Sequence, residues 1–163
     1  ARLRGTDYPG ELAVLKVDGF PIPTSGNKRH EWGVNLQAKW KGGRLFAQWV
    51  EQDLAGAGRY GIEAEVAWIF QLPGLFLVGE SPFGNWIQPT FRYSYLDNEF
   101  TAPRAFPRLA VQWPWKKYDF GLRMGLVRNV DLTAEYTYHE VFRTAALPNL
   151  PMKEFLLTLR TGF

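Results

Sequence analysis

The feature that most constrains this chain is an alternation of period two, sustained over segments of about 10–13 residues. Between positions 130 and 139, Val130, Leu132, Ala134, Tyr136 and Tyr138 alternate with Asp131, Thr133, Glu135, Thr137 and His139. In the last segment Lys153, Phe155, Leu157, Leu159, Thr161 and Phe163 alternate with Glu154, Leu156, Thr158, Arg160 and Gly162. Successive side chains of a strand point to opposite faces, so such a segment is built to meet two different media. The same reading upstream places strands at about 10–18, 31–41, 43–53, 59–72, 86–97, 117–127, 130–142 and 152–163. Lys41-Gly42-Gly43 and Arg128-Asn129 read as tight hairpin turns. Residues 19–30, 53–58, 98–107 and 143–151 read as longer loops at the opposite end, and 74–85 as a long connection on the tight-turn side.

Strands of a soluble sandwich usually run about 5–6 residues. The longer segments here match the length that crosses a bilayer at a tilt. Backbone groups in lipid must pair within the protein, which forces such strands into a closed barrel. Outer-membrane barrels combine an outward apolar face, aromatic girdles, short turns at one end and long loops at the other. The 7 Trp, 7 Tyr and 12 Phe fit those girdles, with Trp32, Trp40, Trp49, Trp68, Trp86, Tyr60, Tyr93 and Tyr95 expected to face outward. No apolar run is long enough for a membrane helix, and the N-terminus lacks the apolar core of a signal peptide, so a mature form or a piece of something longer is expected. The expected fold is therefore all-β: a transmembrane antiparallel barrel with about eight strands in this chain, in the bacterial outer membrane. Residues 1–163 are read as one barrel domain, or as the C-terminal portion of a larger barrel.

Three stretches resemble the phosphate-selective porin family: Phe91-Arg92-Tyr93-Ser94-Tyr95-Leu96-Asp97, the 121–138 hairpin with its Arg128-Asn129-Val130-Asp131 turn, and the terminal strand to Phe163. Phe76-Leu77-Val78-Gly79-Glu80-Ser81 is similar to a segment preceding the Arg-Tyr-Ser-Tyr-Leu-Asp stretch in that family. The resemblance spans residues 76–163. It implies a roughly sixteen-stranded barrel, a homotrimer, anion transport, and a chain that supplies the C-terminal half. The terminal Phe163 resembles the assembly signal read by the barrel-assembly machinery. Strand number governs what the lumen can do, because eight strands leave an interior filled by side chains, whereas sixteen leave an aqueous channel.

The expected lumen face carries Lys39, Lys41, Arg92, Arg123 and Arg160 against Glu63, Glu65, Asp119, Asp131, Glu135 and Glu154. That near balance is not the basic ladder expected of an anion constriction. Inward charges of this kind ordinarily pair across neighbouring strands and stiffen the wall. Arg92, Arg123 and Arg160 are the candidates for anion contact, since guanidinium suits oxyanions. Catalysis is not expected: His139 is read as inward and His30 as a loop residue, and neither has a nucleophile–base motif around it. With no cysteine and only two histidines, neither a metal site nor a cofactor is expected. A net charge of +3 is too balanced to argue nucleic acid. The expected function is a porin-like channel for passive diffusion of small hydrophilic solutes or ions, with outer-membrane lipid as its surround. The alternative is a closed small barrel that anchors or scaffolds a partner.

Overall fold

The computed structural model describes residues 29–54, 57–98, 114–142 and 148–162. They form β1 (Arg29–Trp40), β2 (Gly43–Leu54), β3 (Ala57–Trp68), β4 (Phe70–Gln71), β5 (Phe76–Val78), β6 (Ser81–Phe83), β7 (Trp86–Asn98), β8 (Trp115–Val127), β9 (Val130–Val141) and β10 (Leu150–Thr161). No helix occurs among them. The order β1-β2-β3-β7-β8-β9-β10 is one antiparallel meander, each long strand hydrogen-bonded to its sequence neighbour, with β4 continuing the β3 line against β7. Among the described residues the ladder does not close: β1 and β10 each pair on one side only, and both run from the long-loop end to the tight-turn end.

The long strands have 12 or 13 residues. At about 3.4 Å per residue, tilted by about 45°, such a strand rises roughly 30 Å, the thickness of a hydrocarbon core. Seven of the eight expected strands coincide with these elements to within about two residues. The eighth, at 10–18, lies outside the described residues, as does Phe163.

Local chemistry fixes the turns. Lys41 and Gly42 both have positive φ, 40° and 87°, the two-residue geometry whose twist matches the flanking strands. Asn129 adopts φ 61° in the β8–β9 turn, where the register shifts between Gly125 and Val127. Two connections depart from the expectation. The β2–β3 ladder runs out to Leu54 opposite Ala57, so two residues, not a long loop, join those strands. The 74–85 connection folds into the β5–β6 hairpin, with Phe76 stacked on Phe83 at 4.7 Å and Gly84 N–H donating to the Leu126 carbonyl at 3.1 Å. The run Leu-Phe-Leu-Val at 75–78 is too short to show a period, which is why alternation missed it.

Burial is inverted relative to a soluble sheet. The side chains buried most deeply are Gln52, Glu65, Ala67, Ser94, Thr133 and Val141, and the pairing register puts all six on one face. The other face presents Trp32, Val34, Leu36, Trp40, Leu45, Trp49, Ile62, Val66, Phe91, Phe120, Leu122, Phe155, Leu157 and Leu159 to the outside, all exposed. The sheet therefore curls around its polar face.

Candidate functional site

The apolar face comes first, because it sets the environment of the polar one. Near the long-loop end it carries a belt of aromatic rings. Trp32 meets Trp49 edge-on at 4.8 Å, Tyr60 lies 6.0 Å from Tyr95, and Tyr93, Tyr118 and Tyr138 follow across β7, β8 and β9 at 5.2 and 6.3 Å. Near the turn end Trp40, Trp68 and Phe70 form a second cluster, with Trp40 and Trp68 at 5.7 Å and Trp68 and Phe70 at 6.4 Å. Between the belts the register aligns Ala38, Leu45, Val66, Phe91, Phe120, Tyr136 and Phe155 in one row across all seven long strands. No charged side chain interrupts that row, nor the neighbouring row of Pro89, Leu122, Ala134 and Leu157.

The concave face is charged and cross-linked. Glu65 on β3 sits between Arg44 on β2 and Arg92 on β7. It accepts from the Arg44 guanidinium, and from Arg92 Nε at 2.9 Å and Nη2 at 2.5 Å. Glu63 stands 3.7 Å from Arg92 Nε. Farther toward the turn end Arg123 on β8 donates through Nε and Nη2 to both oxygens of Asp131 on β9, at 2.8 and 2.6 Å, and its guanidinium lies 5.4 Å from the Trp86 ring centroid. Lys117 pairs with Asp119 at 3.0 Å, and the Thr137 hydroxyl donates to Asp119 at 2.5 Å. Bidentate guanidinium–carboxylate pairs are geometrically demanding, and here they tie neighbouring strands together. Near the long-loop end Arg59 donates to Gln52 at 2.5 Å and Gln52 donates to Glu31 at 3.0 Å.

A cavity of about 500 Å³ opens on this face. It is lined from β2 across to β10, with Arg44 and Glu65 on one wall and Glu154 and Arg160 on the other. Of the residues expected in the lumen, Glu65, Arg92, Asp119, Arg123, Glu135, Glu154 and Arg160 line it. Lys39 and Glu63 share its face, opposite Arg44 and Ser94 respectively. Lys41 does not: it occupies the β1–β2 turn, its ammonium 5.3 Å from the Trp40 ring centroid. Trp86, expected to face outward, pairs with Gly125 and shares a small recess with Arg123, Asp131 and Arg160 on the polar side. Gly125 is what admits the indole, since a Cβ there would fall 2.2 Å from Trp86 Nε1. His30 lies within β1 opposite Asp53, not in a loop, and His139 is on the inner face with a buried Nε2 that has no partner among the described residues. Ser94 and His139 are separated by β8, with Lys117 between them in the register, so no nucleophile–base contact forms.

Arg44 is a cavity residue that the alternation did not single out. Arg44 follows the turn immediately, and Phe46, two residues on and on the same face, hides the polar phase of β2. Among the described residues no group of three His, Cys, Asp or Glu side chains has metal-holding geometry. Comparison with protein-family models, with curated proteins and with solved structures finds no match.

Proposed function

We propose that this chain forms wall of an outer-membrane β-barrel that acts as a porin-like channel, passing small hydrophilic solutes or ions by passive diffusion. The observation that carries the reading is the inverted curl: charged and amide side chains line the concave face, while the outward face is an uncharged apolar band between two aromatic belts. In water that arrangement wastes the hydrophobic effect. Against lipid, with water inside, each face meets the medium it suits. The likeness of residues 76–163 to phosphate-selective porins supports the same reading and adds the proposals of a larger barrel and a trimer. Among the described residues β1 and β10 each lack a second partner strand, which supports a wall that continues, because an unpaired strand in lipid leaves its backbone groups unsatisfied.

One observation favours the second reading, a closed barrel serving as a scaffold. The guanidinium groups of Arg92 and Arg123 are occupied by Glu65 and Asp131, so the inner pairs stiffen the wall and leave little basic ladder. Planar-bilayer conductance of the purified native assembly, under a salt gradient and with phosphate added, separates the two. Stable resolved steps are expected, with a reversal potential of modest selectivity. Silence from protein verified as inserted would overturn the channel and leave the scaffold.

A further inference from the structure

Most charges on the concave face cancel in pairs. Arg44 and Arg92 are matched by Glu65 and Glu63, Lys117 by Asp119, and Arg123 by Asp131. Gln52 joins Arg59 to Glu31 at the long-loop end, which adds one charge of each sign. Four charged side chains of the described inner face are left over. Lys39, Glu135, Glu154 and Arg160 are all exposed, and they make no hydrogen bond or salt bridge to any described residue. Arg160 faces Asp131 in the register, but both oxygens of that carboxylate already accept from Arg123.

These four are sorted by height. Lys39 and Arg160 each stand one residue in from the turn end of their strands, β1 and β10. Glu135 and Glu154 stand five and seven residues in from the turn ends of β9 and β10. Along β10, Glu154 and Arg160 are six residues apart. At about 3.4 Å per residue and a tilt of about 45°, that is roughly 14 Å of pore axis. The turns extend the cationic end with Lys41 and Arg128 against Glu80. The turn-end mouth is thus cationic and the mid-lumen acidic, while the described wall as a whole is balanced. The Debye length is about 10 Å at 0.1 M salt, shorter than that separation, so mobile ions meet two zones and not one neutral surface.

We propose that this wall makes the channel a rectifier, passing ions more readily under one polarity than the other. Cations concentrate beside Glu135 and Glu154, and anions beside Lys39 and Arg160. When the long-loop side is positive, the field drives both populations toward the boundary between the zones, which fills with carriers and conducts. Under the opposite polarity both are drawn away and the boundary empties. The inference deepens the channel reading by giving it a preferred direction, and it rests on that reading. A balanced wall of this kind discriminates little by sign of charge but does discriminate by direction.

The test uses single channels of the purified native assembly in planar bilayers, at about 100 mV of either polarity and about pH 8, where unperturbed histidines are neutral. The ratio of the two currents should reach at least about 1.5 in 0.1 M potassium chloride and fall to about 1 in 1 M, where the Debye length is about 3 Å. Lys39→Glu with Arg160→Glu makes both zones acidic, and Glu135→Lys with Glu154→Lys makes both cationic. Each pair should bring the low-salt ratio to about 1, while their reversal potentials move in opposite directions. The milder pairs, Lys39→Gln with Arg160→Gln and Glu135→Gln with Glu154→Gln, should each remove about half of the asymmetry, and they serve where a charge reversal blocks assembly. Open steps with equal currents at low salt, a ratio that survives high salt, or a ratio indifferent to the Gln pairs would overturn the rectifier and leave the channel. Silence from protein verified as inserted would overturn both.

Discussion

Val66 offers the sharpest test of which medium faces the apolar side. It sits on β3 between the levels of Tyr60 and Trp68 that mark the two belts, flanked by Leu45 and Phe91 in the uncharged row, and is 47% exposed. Were that face in water, Val66→Arg would be a surface substitution and would change stability by no more than about 0.5 kcal/mol. Were it in lipid, a guanidinium near the bilayer midplane costs about 2–4 kcal/mol, falling to about 0–1 near the interfaces. Val34 provides the internal control. It pairs with Trp49 within the long-loop belt, at the level of Lys116 and Glu140, where the interface is expected. The lipid reading therefore predicts a difference of about 2–3 kcal/mol between Val66→Arg and Val34→Arg, or roughly 30- to 150-fold in the folded-to-unfolded ratio. Reversible guanidinium unfolding in phospholipid vesicles, followed by tryptophan fluorescence, measures both. Equal effects below 0.5 kcal/mol would refute the membrane orientation, because no depth-dependent cost would then exist.

Three further outcomes are expected. Glu65→Gln removes the carboxylate shared by Arg44 and Arg92; since both guanidiniums are partly solvated, the loss in the same unfolding assay should be on the order of 1 kcal/mol, while the reversal potential moves toward anions. Replacing Arg92 and Arg123 together by Glu should move it toward cations, and an unchanged potential would mean that neither faces the conduction path. Gly125→Ala places a methyl against the Trp86 indole, so it should cost about 1–3 kcal/mol and shift the tryptophan emission as the ring leaves Arg123.

The strands were legible wherever both faces had unmistakable and different chemistry. β9 and β10 alternate without a break, and their register carries Tyr136 to Phe155 and Asp131 to Arg160 as the alternation requires. β2 was harder, because Phe46 and Val50 sit among the inner polar positions and mask the phase that would have revealed Arg44. Trp86 misled for a related reason: an aromatic near a strand end reads as a girdle residue, and only the cross-strand partner Gly125 reveals that the ring turns inward. The cavity was legible residue by residue but not as a place. Alternation says that Arg92, Glu65 and Glu154 share a face; it does not say that Arg92 is taken up by Glu65 while Glu154 is left alone. Pairing across strands depends on register, and register lies in the ladder rather than in any single strand.

The direction of the two free edges has a counting consequence. β1 and β10 point the same way because the long strands among the described residues number seven. Zipping one edge directly to the other would create a single parallel seam in an otherwise antiparallel wall. An antiparallel seam on both sides requires an odd number of strands in the gap: one makes a ring of eight, nine make a ring of sixteen. The question of a narrow plug or a wide pore thus reduces to an integer, and every even addition would leave one parallel seam, given the direction in which β1 and β10 already run.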